Sequence, residues 1–88
     1  MVTQKVKIIN ATGLHLRPAG LLCEIAMQYG SKITFKTDNN YEANAKSVLS
    51  VLGACVKSGE IIELTCDGPD EAEALADLVS SIEAGLGE

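Results

Sequence analysis

Four stretches of this chain alternate apolar with polar residues, and the stretches between them repeat their apolar residues at intervals of three and four. Val2, Val6 and Ile8 alternate with Lys5 and Lys7, with Gln4 interrupting the apolar side. Ile33 and Phe35 alternate with Lys32, Thr34 and Lys36; Tyr41, Ala43 and Ala45 with Glu42 and Asn44; and Ile62, Leu64 and Cys66 with Glu63, Thr65 and Asp67. A period of two marks a strand with one buried face. Helical spacing runs through Ala19, Leu22, Cys23 and Ala26, then Val48, Val51, Leu52 and Cys55, then Leu75, Leu78, Val79 and Ile82. The order is β-α-β-β-α-β-α. Half-wet strands need cover on one side only, so the expected class is α+β: a two-layer open-faced β-sandwich with a four-stranded antiparallel sheet and three helices on one face.

Local signals punctuate these elements. Pro18 suits the first turn of a helix, where a missing N–H costs nothing, and Gly30 is a candidate stop for the same helix. Asp38-Asn39-Asn40 supplies the turn of a β-hairpin. Ser47 is placed to N-cap the second helix, and Ser58-Gly59 to end its segment. After the Gly68-Pro69 break, Asp70 and Glu73 have capping-box spacing, with Gly85 and Gly87 letting the last helix fray. Short connections without repeats or linkers imply a single domain over residues 1–88.

Composition removes several functions. With no Trp, one Phe and two Tyr there are few aromatic platforms for stacking bases. A net charge of −5 disfavours nucleic acid, since phosphate backbone is bound by clustered Lys and Arg. The charge is also divided: all seven basic residues fall within 1–57, and nine of the twelve acids within 58–88. Chemistry involving anions is therefore sought in the first part. No apolar run approaches the ~18 residues of a membrane span, and the first ten residues lack a signal-peptide core, so a cytoplasmic location is expected. Cys23, Cys55 and Cys66 are odd in number, lack C-x-x-C spacing and sit in apolar patterns, and are expected as reduced, buried thiols rather than disulfide or metal ligands.

One His and one Arg occur, two residues apart, in Gly13-Leu14-His15-Leu16-Arg17-Pro18-Ala19. His15 falls at the expected N-cap of the first helix, beside backbone N–H groups without intrahelical acceptors and the positive end of the helix dipole. Such a place suits an anion. A phosphoryl group on a ring nitrogen could be held there by backbone donors and by the Arg17 guanidinium. Phosphoryl transfer asks little of its acceptor beyond positioning and charge stabilisation, so a lone His suffices. Hydrolytic chemistry lacks a second His to serve as base, and no cluster has metal-ligand spacing. An incidental capping His is the alternative.

The segment Gly13-Leu14-His15-x-Arg17-Pro18-Ala19, followed by Lys46-Ser47-Val48-Leu49, resembles the signatures of HPr, the histidine-containing phosphocarriers of the bacterial phosphoenolpyruvate-dependent sugar phosphotransferase system, in their low-GC Gram-positive type. The resemblance covers nearly the whole chain. It implies that His15 accepts phosphate on Nδ1 from phosphorylated enzyme I and donates it to EIIA domains of sugar permeases, with Arg17 contacting the phosphoryl group. The chain would then be a stoichiometric carrier, not an enzyme, with no metal and no cofactor, working as a monomer. The implied partner surface comprises Leu16, Gly20, Leu21, Lys46, Val48, Leu49 and Leu52, with Leu49 and Leu52 sharing an apolar face ringed by Arg17, Lys46 and Lys57.

Lys46-Ser47 also resembles the site modified by HPr kinase/phosphorylase, whose product acts with a catabolite-control repressor. A phosphate on Ser47 would add about −1.5 to −2 charge beside the partner surface and weaken engagement with phosphorylated enzyme I. Two other readings stand beside this one: a nitrogen-type phosphotransferase carrier, and a small ferredoxin-like ligand-binding module. The sequence departs from the common family pattern in a hairpin one residue longer over 37–41, in Ser50 and Cys55 where Gly is frequent, and in Glu24 where Lys or a neutral residue is frequent.

Overall fold

The computed structural model describes residues 1–87. It contains strands β1 (Val2–Lys7), β2 (Lys32–Lys36), β3 (Glu42–Asn44) and β4 (Ile61–Asp67), and helices α1 (Leu16–Ala26), α2 (Val48–Gly53) and α3 (Glu71–Glu83). The order is the β-α-β-β-α-β-α of the sequence periodicities. All pairings are antiparallel and the sheet order is β1-β4-β2-β3. Register follows the alternation: Val6 lies opposite Ile62, and Ile33 and Phe35 opposite Cys66 and Leu64. These apolar residues share one sheet face and are buried.

The helices close over that face. Ala19, Leu22 and Ala26 of α1, Val51 of α2, and Ala74, Leu78, Val79 and Ile82 of α3 join the same core. The opposite sheet face carries Thr3, Lys5, Glu63, Thr65, Thr34 and Lys36 and stays polar. α3 packs over β1 and β4, and α1 lies against both α2 and α3.

Several local expectations need correction. α1 ends at Ala26, with Met27 as C-cap in right-handed helical geometry, so Gly30 does not stop it. Gly30 instead donates its N–H to Asp70 Oδ2 at 2.9 Å, and the Ser31 amide and hydroxyl donate to Asp70 Oδ1. This is why Asp70, although it is the N-cap of α3, caps nothing with its side chain. The capping box with Glu73 is replaced by Glu71, which accepts the Gly68 N–H at 3.2 Å. The carboxylate of Asp70 is more useful joining α3 to the α1–β2 turn than closing its own helix.

The end of α3 is packed rather than frayed. Gly85 N–H donates to the Ile82 carbonyl and Leu86 N–H to the Ser81 carbonyl, the paired bonds of a Schellman motif, and Leu86 is buried. Asn10 Nδ2 donates to the Gly85 carbonyl at 2.7 Å and fastens this turn to the segment leading to His15.

The cysteines divide by environment. Cys66 is buried, and burial pushes its thiol pKa upward. Cys23 is half-buried and Cys55 is exposed, so burial is wrong for Cys55. α2 closes at Gly53, and Cys55 lies beyond the Ala54 C-cap with φ of 51°, pointing away from the helix stripe.

Candidate functional site

Residues 10–15 form the approach to α1. The Gly13 N–H donates to the Asn10 carbonyl at 3.0 Å, Gly13 itself has φ of 71°, and Leu14 is buried. The Leu14 N–H donates to the Val56 carbonyl at 3.0 Å. A Cβ on Gly13 would meet that oxygen at 2.2 Å, so the close approach and the positive φ both demand glycine. With Leu14 anchored and Gly13 turned, His15 is delivered to the N-cap of α1.

His15 has extended geometry (φ −79°, ψ −170°), and its carbonyl accepts the first helical bond, from Ala19 N–H at 2.9 Å. Its ring makes no capping bond to the helix. The next two residues, Leu16 and Arg17, supply the first-turn N–H groups, and Pro18 has none to supply. The His15 residue is half-buried, whereas Leu16 and Arg17 are exposed, Leu16 by 68%. Arg17 forms no ion pair among the described residues. The assembly is an imidazole at a helix N-terminus with a neighbouring guanidinium, a combination suited to an oxyanion-rich group. Among the described residues, no group of three or more His, Cys, Asp or Glu side chains could hold a metal ion.

Along α1, Leu16, Arg17, Gly20, Leu21 and Glu24 line a shallow groove completed by Leu86 and Gly87. Gly20 leaves open space, since a Cβ there would meet nothing within 4 Å. Sequence reasoning missed the contribution of the C-terminal turn. The signal was present in Gly85-Leu86, a glycine followed by a hydrophobic residue just past a helix, which is the Schellman pattern.

Ser47 N-caps α2, its Oγ accepting the Ser50 N–H at 3.2 Å. Ser50, the departure at a frequent glycine position, returns a bond by accepting Asn44 N–H at 2.8 Å. The apolar residues of α2 separate: Leu49 is 83% exposed, Val48 and Leu52 are half-buried, and Val51 is in the core. Leu52 therefore belongs partly to the core and leaves Leu49 as the dominant exposed leucine. Lys57 is exposed, but Lys46 is half-buried with its Nζ donating to the Tyr29 carbonyl at 2.7 Å. The lengthened hairpin closes with Thr37 N–H on the Tyr41 carbonyl and Asn40 at φ of 63°.

Comparison with known proteins agrees with this arrangement. Residues 2–84 match the family described as the PTS HPr component phosphorylation site. The chain is 38% identical over 76 residues to the phosphocarrier protein HPr of Treponema pallidum, covering 86% of this chain and 85% of that one. It is 37% identical over 87 residues to the phosphocarrier protein NPr of Klebsiella oxytoca, covering 99% and 97% respectively. The crystal structure of HPr-C-His from Thermoanaerobacter tengcongensis superposes with a TM-score of 0.95 at 39% identity, over 100% of this chain and 98% of that one. Fold, motif and likeness over nearly the whole length converge, and the chain belongs to the HPr family, the phosphocarriers of the bacterial phosphotransferase system.

Proposed function

We propose that this carrier works through His15, which accepts a phosphoryl group on Nδ1 from phosphorylated enzyme I and passes it to EIIA domains of sugar permeases. The observation that carries the reading is the delivery of His15 to the N-cap of α1, where Leu16 and Arg17 supply first-turn N–H groups. In the transfer the bond from phosphorus to the donor breaks as the bond to Nδ1 forms. The helix N-terminus and the Arg17 guanidinium stabilise the charge spread over the phosphoryl oxygens. Leu16, Gly20, Leu21, Val48, Leu49 and Leu52 form the docking face, and one half-buried histidine at its edge serves successive partners on a monomeric, cytoplasmic carrier.

Ser47 is the proposed regulatory site. Its Oγ is a cap acceptor, so a phosphate there gains from the α2 amides while adding charge beside the docking face. HPr kinase/phosphorylase is the modifying partner in this reading, and a catabolite-control repressor the reader. Kinase-dependent, acid-stable phosphate should disappear in Ser47→Ala; its persistence would place the modification elsewhere.

The likeness to NPr supports a second reading, in which the carrier serves nitrogen regulation. Pro18 after Arg17 and the Lys46-Ser47 pair favour the sugar branch. A reconstituted relay separates the two: phosphoenolpyruvate, enzyme I and this chain should phosphorylate a sugar-type EIIA faster than its nitrogen-type counterpart. The reverse preference would assign the nitrogen branch.

A further inference from the structure

We propose that Lys46 is a positioning residue that braces α2 against α1, and that it does not contact the partner. The proposal deepens the docking-face reading above and rests on it. The two helices run in opposite directions, and the α2 segment is pinned to α1 at both ends. At one end the Leu14 N–H, just before α1, holds the Val56 carbonyl, just after α2. At the other, the Lys46 ammonium, just before α2, holds the Tyr29 carbonyl, just after α1.

Each partner in the second pin is itself fixed. The Tyr29 hydroxyl donates to Asp77 Oδ2 of α3, which also receives the Ser81 hydroxyl through its other oxygen. The Asp77 bond, followed by desolvation, pushes the Tyr29 phenol up to about 12, so it remains a donor throughout the ordinary pH range. On the other side, the Lys46 N–H donates to Asn44 Oδ1 at 2.9 Å, and the Ser47 N–H to the Asn44 carbonyl at 3.0 Å. Asn44 N–H in turn reaches Ser50 Oγ. A single ammonium thus connects the start of α2 to α1 and, through Tyr29, to α3. Its carbonyl acceptor lies past a helix C-terminus, where a cation is electrostatically favoured.

The consequence concerns geometry. Leu16 and Arg17 stand on α1 and Leu49 on α2, so their relative placement depends on both pins. Loss of the Lys46 pin leaves α2 hinged at its Val56 end, with no change to the residues that face the partner.

Lys46→Met keeps the aliphatic stem and removes the donor. Hydrogen exchange at the Ser47, Ser50 and Val51 amides should become about tenfold faster, the scale of one lost charge-assisted bond. KM for phosphorylated enzyme I should rise several-fold with little change in kcat. Lys46→Arg, which retains a donor, should restore slow exchange. Tyr29→Phe should accelerate the same amides to a smaller degree, giving a second reading should Lys46→Met fold poorly. Unchanged exchange in both Lys46→Met and Tyr29→Phe would overturn the brace, and a raised KM in Lys46→Met with exchange unchanged would make Lys46 a partner contact. Exchange is read without any partner, so the brace is decided separately from the phosphocarrier reading. Phosphoramidate, a small donor that needs no docking, reports His15 directly, and failure to label the wild type would count only against that reading.

Discussion

The Leu14 amide and the Val56 carbonyl meet at 3.0 Å, and a Cβ on Gly13 would stand 2.2 Å from the same oxygen. The loop before His15 is therefore sealed to the segment after α2 with no room for a side chain. Gly13→Ala should lose this contact and also strain φ at 71°, lowering stability by about 2–4 kcal/mol in urea unfolding. Phosphoryl acceptance should fall even where the variant remains folded. A fully stable, fully active Gly13→Ala protein would contradict the positioning argument.

Leu49 is the most exposed leucine of the proposed docking face and contributes little to the core. Leu49→Ser should leave stability within about 0.5 kcal/mol of the parent, as expected for an exposed site. The same change should weaken binding to phosphorylated enzyme I several-fold, if the exposed Leu49 side chain is an aliphatic anchor of the proposed docking face. Calorimetric titration and a thermal melt on the same sample measure both.

Cys55 occupies a left-handed position, φ of 51°, with its side chain exposed. A non-glycine residue there costs about 1–2 kcal/mol, partly offset in glycine by its larger unfolded-state entropy. Cys55→Gly should accordingly stabilise the protein by about 0.5–1 kcal/mol, read as a higher urea midpoint at unchanged slope. A lower midpoint would mean that the thiol makes a contact worth more than the backbone strain.

Asp70 joins α3 to the α1–β2 turn through the Ser31 hydroxyl and the Gly30 and Ser31 amides. The Ser31 hydroxyl first, and the Gly30 N–H next, hold its carboxyl below the ordinary 3.8. A depressed folded-state pKa contributes stability that is present above the unfolded value and is lost as pH falls through the folded one. Stability should therefore decline on acidification below about pH 4 more steeply in the wild type than in Asp70→Asn. Parallel acid limbs in denaturant titrations would remove Asp70 from the cause.

The strands were legible through their alternation: Ile62, Leu64 and Cys66 all face inward, as their spacing requires, whereas Tyr41, read as the first inward residue of its stretch, lies outside β3 and is exposed. The place of His15 at the N-cap of α1 was legible for a different reason, since Pro18 and the helical spacing from Ala19 onward mark where that helix begins. What escaped the sequence were choices among competing hydrogen-bond partners. Asp70 had a cap to make and a distant turn to hold, and only the folded chain shows that the turn wins. Lys46 read as a surface cation until Tyr29 was brought to it from seventeen residues away. The C-terminal glycines read as fraying because the burial of Leu86 depends on neighbours elsewhere in the chain. Long-range pairing, not local propensity, decided each of these.

The central claim, that His15 carries the phosphoryl group, is tested most directly by intact-mass measurement after incubation with phosphoenolpyruvate and enzyme I. The wild type should gain one phosphoryl group that maps to His15 and is lost in acid, and His15→Ala should gain none. An unmodified wild type with several enzymes I, or an equal acid-labile adduct on His15→Ala, would contradict it.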